Sequence, residues 1–126
     1  MKQGLLLLAH GARNPAWAQP FQALAARVSA MRPDIVVSLG FLELMTPNIE
    51  EALSSLHAQG AEQVEVLPMF LGGAGHVQRD VLPLVEAAGA RLGCAIRLHA
   101  ALGEQPAMLD AMSQLCLQLL DPPEAA

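Results

Sequence analysis

Short leucine- and valine-rich runs alternate along this chain with longer stretches whose apolar side chains recur every third or fourth position. That change of period predicts βα units around a parallel sheet. The first run, Gly4-Leu5-Leu6-Leu7-Leu8-Ala9, reads as a buried strand. Phe21, Leu24, Ala25, Val28 and Met31 follow at helical spacing until Pro33 stops them, and Ile35-Val36-Val37-Ser38-Leu39 forms a second strand. The next helix is expected to be capped by Thr46, with Pro47 at its first position, Glu50 and Glu51 at its positive end, and Gly60 closing it. Its buried stripe is Ile49, Leu53 and Leu56. Val64 to Leu71 supplies the third strand, residues 81–92 a third helix closed by Gly93, and Ala95-Ile96-Arg97-Leu98 the fourth strand. A final helix places Met108, Met112, Leu115 and Leu119 on one face before Asp121-Pro122-Pro123 ends it.

These units predict an α/β fold: one domain over 1–126, an open four-stranded parallel sheet of order 2-1-3-4, and helices on both faces. Ligands of such sheets bind beyond the carboxyl ends of the strands, where the winding reverses. In this order the reversal falls between the first and third strands. His10 follows the first strand, His76 follows the third, and Glu43 lies just past the second, so all three are expected on one rim.

Composition narrows the partners. The 126 residues are 53% hydrophobic and 15% charged, a high apolar share that points to surface covered by a second subunit and hence a homodimer. With no tyrosine, one tryptophan and a formal charge of −5, the chain has neither a stacking platform nor a field for a polyphosphate backbone, which argues against nucleic acid. The leucines after Met1-Lys2-Gln3 are too few for a secretory leader or membrane span, and two cysteines without CxxC spacing suit a reducing cytoplasm.

Imidazole near neutral pH can bind a metal, accept a proton, or do both in turn, and that makes His10 and His76 the candidate centre with Glu43 beside them. His57 has a plainer reading as a helix-end residue at the negative dipole end, and His99, which ends the fourth strand and could border the pocket, is favoured as a structural residue. The Gly72-Gly73-Ala74-Gly75 loop can cradle a phosphate or let a flat ligand approach the backbone; Gln78 stands where a dinucleotide fingerprint would need glycine. Arg13 and Arg79 are candidates for substrate carboxylates. Met45 is either an apolar contact at the rim or core filler.

The ordered set Leu8-Ala9-His10-Gly11-Ala12-Arg13-Asn14-Pro15, Phe41-Leu42-Glu43-Leu44, Thr46-Pro47-Asn48-Ile49, Leu67-Pro68-Met69-Phe70-Leu71 and Gly75-His76-Val77 with Asp80 resembles the short-form sirohydrochlorin chelatases. These are class II tetrapyrrole chelatases, which work without ATP. Two details depart from the usual pattern: Ala12 stands where a serine is common, and Asp80-Val81-Leu82-Pro83 is one residue longer than the usual spacing. The resemblance implies a chelatase-like half of a flavodoxin-like pair of domains, with no tightly bound cofactor. It implies insertion of Co²⁺, with Fe²⁺ or Ni²⁺ as alternatives, into sirohydrochlorin for cobalamin or sirohaem. His10 and His76 would be the metal-binding and proton-accepting residues, Glu43 their helper, and Arg13, Met45, Leu71, Gly72, Gly73, Ala74 and Gly75 the contacts to the ring. Longer relatives look like two such domains fused, which again implies a dimer for a short chain. Two rivals remain. A histidine phosphatase would need arginine where Ala9 stands, and a carrier would bind metal or tetrapyrrole without accelerating insertion.

Overall fold

The computed structural model describes residues 2–72 and 74–121, with only the backbone of Ala74, His76 and Val77. Four parallel strands, β1 (Gln3–Ala9), β2 (Val36–Phe41), β3 (Gln63–Pro68) and β4 (Ala95–Leu98), form one sheet of order β2-β1-β3-β4, as the alternation of periods predicts. Between them lie α1 (Gln19–Met31), α2 (Ile49–Ala58) and α3 (Ala74–Leu92), and α4 (Pro106–Leu120) follows the last strand. Two short 3-10 turns, Pro15–Ala18 and Leu102–Glu104, introduce α1 and α4.

The sheet has one well-covered face. Leu6 and Leu8 of β1 and Val64 and Val66 of β3 meet Leu53 and Leu56 of α2 and Val81, Val85 and Ala88 of α3 in a single buried cluster. Full burial of a Leu or Val side chain contributes about 1.5–3 kcal/mol, so this layer carries most of the stability. The opposite face holds a smaller cluster, in which Ala9, Ala18 and Phe41 are buried and Trp17, Phe21, Leu39 and Met45 pack around them. β1 is apolar on both faces because it is central and serves both clusters.

Three local expectations are corrected. Asn48, not Thr46, caps α2: its side chain accepts the Glu51 N–H at 2.8 Å while the Glu51 carboxylate accepts the Asn48 N–H at 3.0 Å. A reciprocal pair satisfies two free helix-end donors, which one threonine hydroxyl would not. Pro47 consequently precedes the helix, after a cis Thr46–Pro47 bond. The third helix begins at Ala74 rather than near residue 81, and Pro83 lies inside it. Val81, Val85 and Ala88 keep one buried stripe across the proline, and their burial offsets the single backbone hydrogen bond that it removes. The third strand ends at Pro68, so Met69, Phe70 and Leu71 belong to the loop beyond it.

α4 differs most from expectation. No residue of α4 is buried, and among the described residues its substantial packing is against the 3-10 turn Leu102–Glu104 alone. It does not cover the sheet.

Candidate active site

All four strands run the same way, so their carboxyl ends share one rim, and there the sequence delivers His10 directly after β1 and Glu43 two residues after β2. His10 Nδ1 lies 3.5 Å from Glu43 Oε1, with both side chains more than half exposed. An exposed pair of this kind is worth about 0–1 kcal/mol and does not hold two loops together by itself. The backbone does that. The sheet ladder continues past the strands, Leu42 N–H donating to the Ala9 carbonyl at 3.0 Å and Glu43 N–H to the His10 carbonyl at 3.1 Å.

Gly11 makes this approach possible. Its φ is +104°, and a Cβ there would stand 1.8 Å from the Glu43 carbonyl oxygen. Only glycine fits such a contact. The chain then reverses within three residues: Met45 N–H donates to the Glu43 carbonyl at 2.8 Å around Leu44, whose φ is +65°. A side-chain-bearing residue in that region costs on the order of 1–2 kcal/mol. The turn directs Leu44 outward, 59% exposed, and folds Met45 back against the cluster beneath the rim. Met45 is half-buried there, packed on the cluster at the rim.

The loop after β3 supplies the third side. Phe70 and the His10 ring meet in a T-shaped arrangement, with centroids 6.3 Å apart and planes at 86°, so an aromatic ring packs beside the imidazole. Leu71 is 69% exposed. Gly72 and Gly75 have open space where a Cβ would be, which leaves their backbone approachable by a flat ligand. This loop is tied down from elsewhere: Gly103 N–H donates to the Phe70 carbonyl at 2.9 Å, and a Cβ on Gly103 would lie 1.9 Å from the Leu71 carbonyl oxygen. His76 is in the first turn of α3, so its backbone belongs to the same rim; its side chain, the side chain of Ala74 and all of Gly73 lie outside the described residues. Arg13 is exposed in the loop between β1 and the first 3-10 turn.

The other two histidines have partners away from His10. His57 Nδ1 is 3.4 Å from the Ala61 carbonyl at the end of α2, and His99 Nε2 is 2.8 Å from Glu65 Oε2 on the sheet. A cleft of about 300 Å³ lined by Phe41, Leu42, Asn48, Ile49, Glu50 and Leu84 lies beside the end of β2. Neither His10 nor Glu43 lines it; both lie at the carboxyl-end rim of the sheet. Sequence reasoning missed Phe70, Leu44, Gly11 and Gly103 as parts of the site. Gly11 carried a signal, being a glycine directly after the candidate histidine, whereas Gly103 sits far along the chain in an unremarkable Leu-Gly-Glu.

The CbiX family model matches residues 4–119. A sirohydrochlorin cobaltochelatase from Methanococcoides burtonii is 31% identical over 80 residues, which are 64% of this chain and 61% of that protein. Another, from Saccharolobus islandicus, is 37% identical over 78 residues, 62% of this chain and 59% of that one. The matched segment thus spans about three fifths of these relatives' length. A CbiX protein from Marinobacter aquaeolei VT8 superposes with a TM-score of 0.79 at 27% identity, covering 96% of this chain and 99% of that one. The sirohydrochlorin chelatase SirB from Bacillus subtilis subspecies spizizenii, solved in complex with cobalt, gives 0.78 at 26% identity, covering 97% of this chain but 51% of SirB. With a family match running from β1 to the last turn of α4 and a shared fold at that level, the chain belongs to the CbiX family.

Proposed function

We propose that this chain is a sirohydrochlorin chelatase that inserts a divalent metal ion, Co²⁺ first, into its tetrapyrrole substrate without ATP, in the service of cobalamin biosynthesis. The observation that carries the proposal is the His10–Glu43 pair on an open rim, with His76 at the head of the adjoining helix. Insertion requires two pyrrole N–H protons to leave the ring and the ion to shed water, so a base and neutral nitrogen ligands are both needed. Glu43 on the Nδ1 side favours the tautomer that leaves Nε2 as the acceptor. Through that nitrogen His10 takes one proton; His76 shares the metal, and Glu43 steadies the imidazolium or receives the second proton. Imidazole suits Co²⁺, Fe²⁺ and Ni²⁺ better than an oxygen cage does, and few ligands leave the ion free to depart with the ring. Arg13 meets ring carboxylates, and Leu71 with the glycines after it meets the ring face.

Cobalt is placed first because the relatives are named cobaltochelatases and SirB was solved with cobalt, though SirB was also solved with Fe³⁺. The ring is broad for one small domain and the His10 and Glu43 side chains are more than half exposed, so a second copy supplies a further wall and the working form is a homodimer. The protein works in the cytoplasm; no helix among the described residues is long and apolar enough to cross a membrane. Anaerobic spectrophotometry of sirohydrochlorin with Co²⁺, Fe²⁺ or Ni²⁺, with and without the protein, tests the proposal. Faster metal-dependent spectral change is expected, largest with Co²⁺. Binding of sirohydrochlorin without acceleration would make the chain a carrier and end the enzymatic reading. Replacing His10 by Ala should lower turnover by about 10²-fold or more, the usual scale for a lost general base, while His57→Ala leaves it within a few-fold.

A further inference from the structure

Leu44 is held in a conformation that its side chain resists. Met45 N–H donates to the Glu43 carbonyl across it and its φ is +65°, which together make the rarer, strained form of the three-residue γ-turn. Among the described residues it is the only one other than glycine with a positive φ. Glycine would adopt that turn freely, and asparagine or aspartate could bond to nearby backbone there; leucine can do neither. Packing does not offset the strain, because Leu44 is 59% exposed and belongs to neither buried cluster. A lone exposed leucine is ordinary, but one that is both strained and exposed at a candidate site implies a contact made only when the site is filled.

Its place on the rim says what that contact is. The sheet runs β2-β1-β3, with Ala9 of β1 paired to Phe41 of β2 and Leu8 to Pro68 of β3. Phe41 and Pro68 end their strands, and Leu44 and Leu71 are each the third residue beyond. His10 directly follows β1 between them. Neighbouring strands lie about 4.8 Å apart, so the two outer strand ends are on the order of 10 Å apart with the imidazole in the middle. Leu71 is also outward, at 69% exposed. Two exposed leucines on either side of a proton-accepting imidazole suit a flat, broad, apolar ligand that must be centred over it. A narrow polar ligand would gain nothing from either.

We propose that Leu44 is a seating residue for the substrate ring: with Leu71 it contacts the macrocycle from neighbouring loops and sets the central nitrogens over His10. This rests on the chelatase reading and adds a specificity element to it, since the leucines meet the conjugated ring rather than its carboxylates. The γ-turn fixes Leu44 outward, while the Glu43 carboxylate beside it turns to His10 Nδ1 at 3.5 Å. Neither leucine carries a group that can move a proton, so both act on binding and orientation.

Binding of metal-free sirohydrochlorin to the full chain, followed by its absorption, tests this without turnover. Leu44→Gly removes the side chain and relieves the turn. The variant is expected to match or exceed the wild type in urea denaturation yet bind the ring about tenfold or more weakly, the scale of one leucine left in water. Leu44→Met keeps an apolar side chain of similar volume and should bind within about threefold of the wild type. With isotope-labelled leucine methyls, the ring should shift the Leu44 and Leu71 NMR signals upfield and leave Leu82, exposed on α3, in place. Unchanged ring affinity in Leu44→Gly overturns the proposal, as does an equal loss in Leu44→Met or the absence of a ring-induced shift at Leu44. A Leu44 signal that moves on dilution without ligand would place it against a second copy and overturn the proposal too. Failure of the wild-type chain to bind or metallate sirohydrochlorin is a distinct result, which ends the chelatase reading and this proposal with it.

Discussion

Individual residues at the rim are held more by backbone geometry than by charge. Gly11→Ala tests that view directly: the new methyl would have to displace the Glu43 carbonyl, so a loss of about 2 kcal/mol or more by urea denaturation, together with a drop in turnover, is expected. Titration offers a contrasting case far from the site. The Arg32 guanidinium, in bidentate contact with Asp34 at 2.7 and 2.9 Å, holds that carboxyl down to about 2 from an ordinary 3.8. A depressed folded value means that the pair's contribution is present above the ordinary carboxyl range and lost as pH falls toward the folded value. NMR titration should therefore find Asp34 charged at pH 3, and Arg32→Gln should raise its midpoint toward the ordinary value, the backbone hydrogen bond to Asp34 retaining part of the depression. Both groups are exposed, so little change in stability should accompany the shift. His10, His76 and Glu43 were legible as candidates because function in an open parallel sheet gathers at strand ends. Phe70 was not, because an aromatic in an apolar run looks the same whether it packs inward or backs an imidazole.

At the scale of elements, the period of the sequence is a better guide than its punctuation. Strands and helices fall where apolar spacing changes from short runs to three-and-four, but two boundary residues mislead. Thr46-Pro47 looks like a cap and first helical position, yet the Asn48–Glu51 pair satisfies more helix-end donors. Asn48→Ala should cost about 1 kcal/mol in thermal or chemical unfolding, with Thr46→Ala costing clearly less. The third helix, expected from about Val81, begins at Ala74 and passes through Pro83. In each case a local signal competes with a second interaction outside its window. Cys94 shows the same dependence on surroundings: burial, then the charge of Glu62, pushes its thiol upward, so it remains a neutral core side chain.

The whole molecule is lopsided, with one sheet face closed by α2 and α3 and the other partly open. High apolar content predicted a covered surface without locating it, since burial by a partner and burial by one's own chain leave the same composition. The strand order and the shared rim were legible because right-handed crossovers leave few alternatives for four βα units. The course of α4 was not, because its amphipathic stripe is equally compatible with docking at home or abroad. If a second chain completes the rim, specific activity should fall when the protein is diluted below the concentration at which pairs dissociate. Turnover per chain measured across a dilution series, with mass measured in parallel, checks that expectation, and constant activity in dilute single chains would contradict it.

The contact between Gly103 and the Leu71 carbonyl leaves no slack between two loops about thirty residues apart in sequence. Any redesign meant to admit a bulkier ring or a different ion by lengthening the 70–72 segment will strike the 102–104 backbone first. Engineering must therefore begin at that distant tripeptide, and random libraries confined to the histidine-bearing loops will be depleted of folded members with enlarged openings.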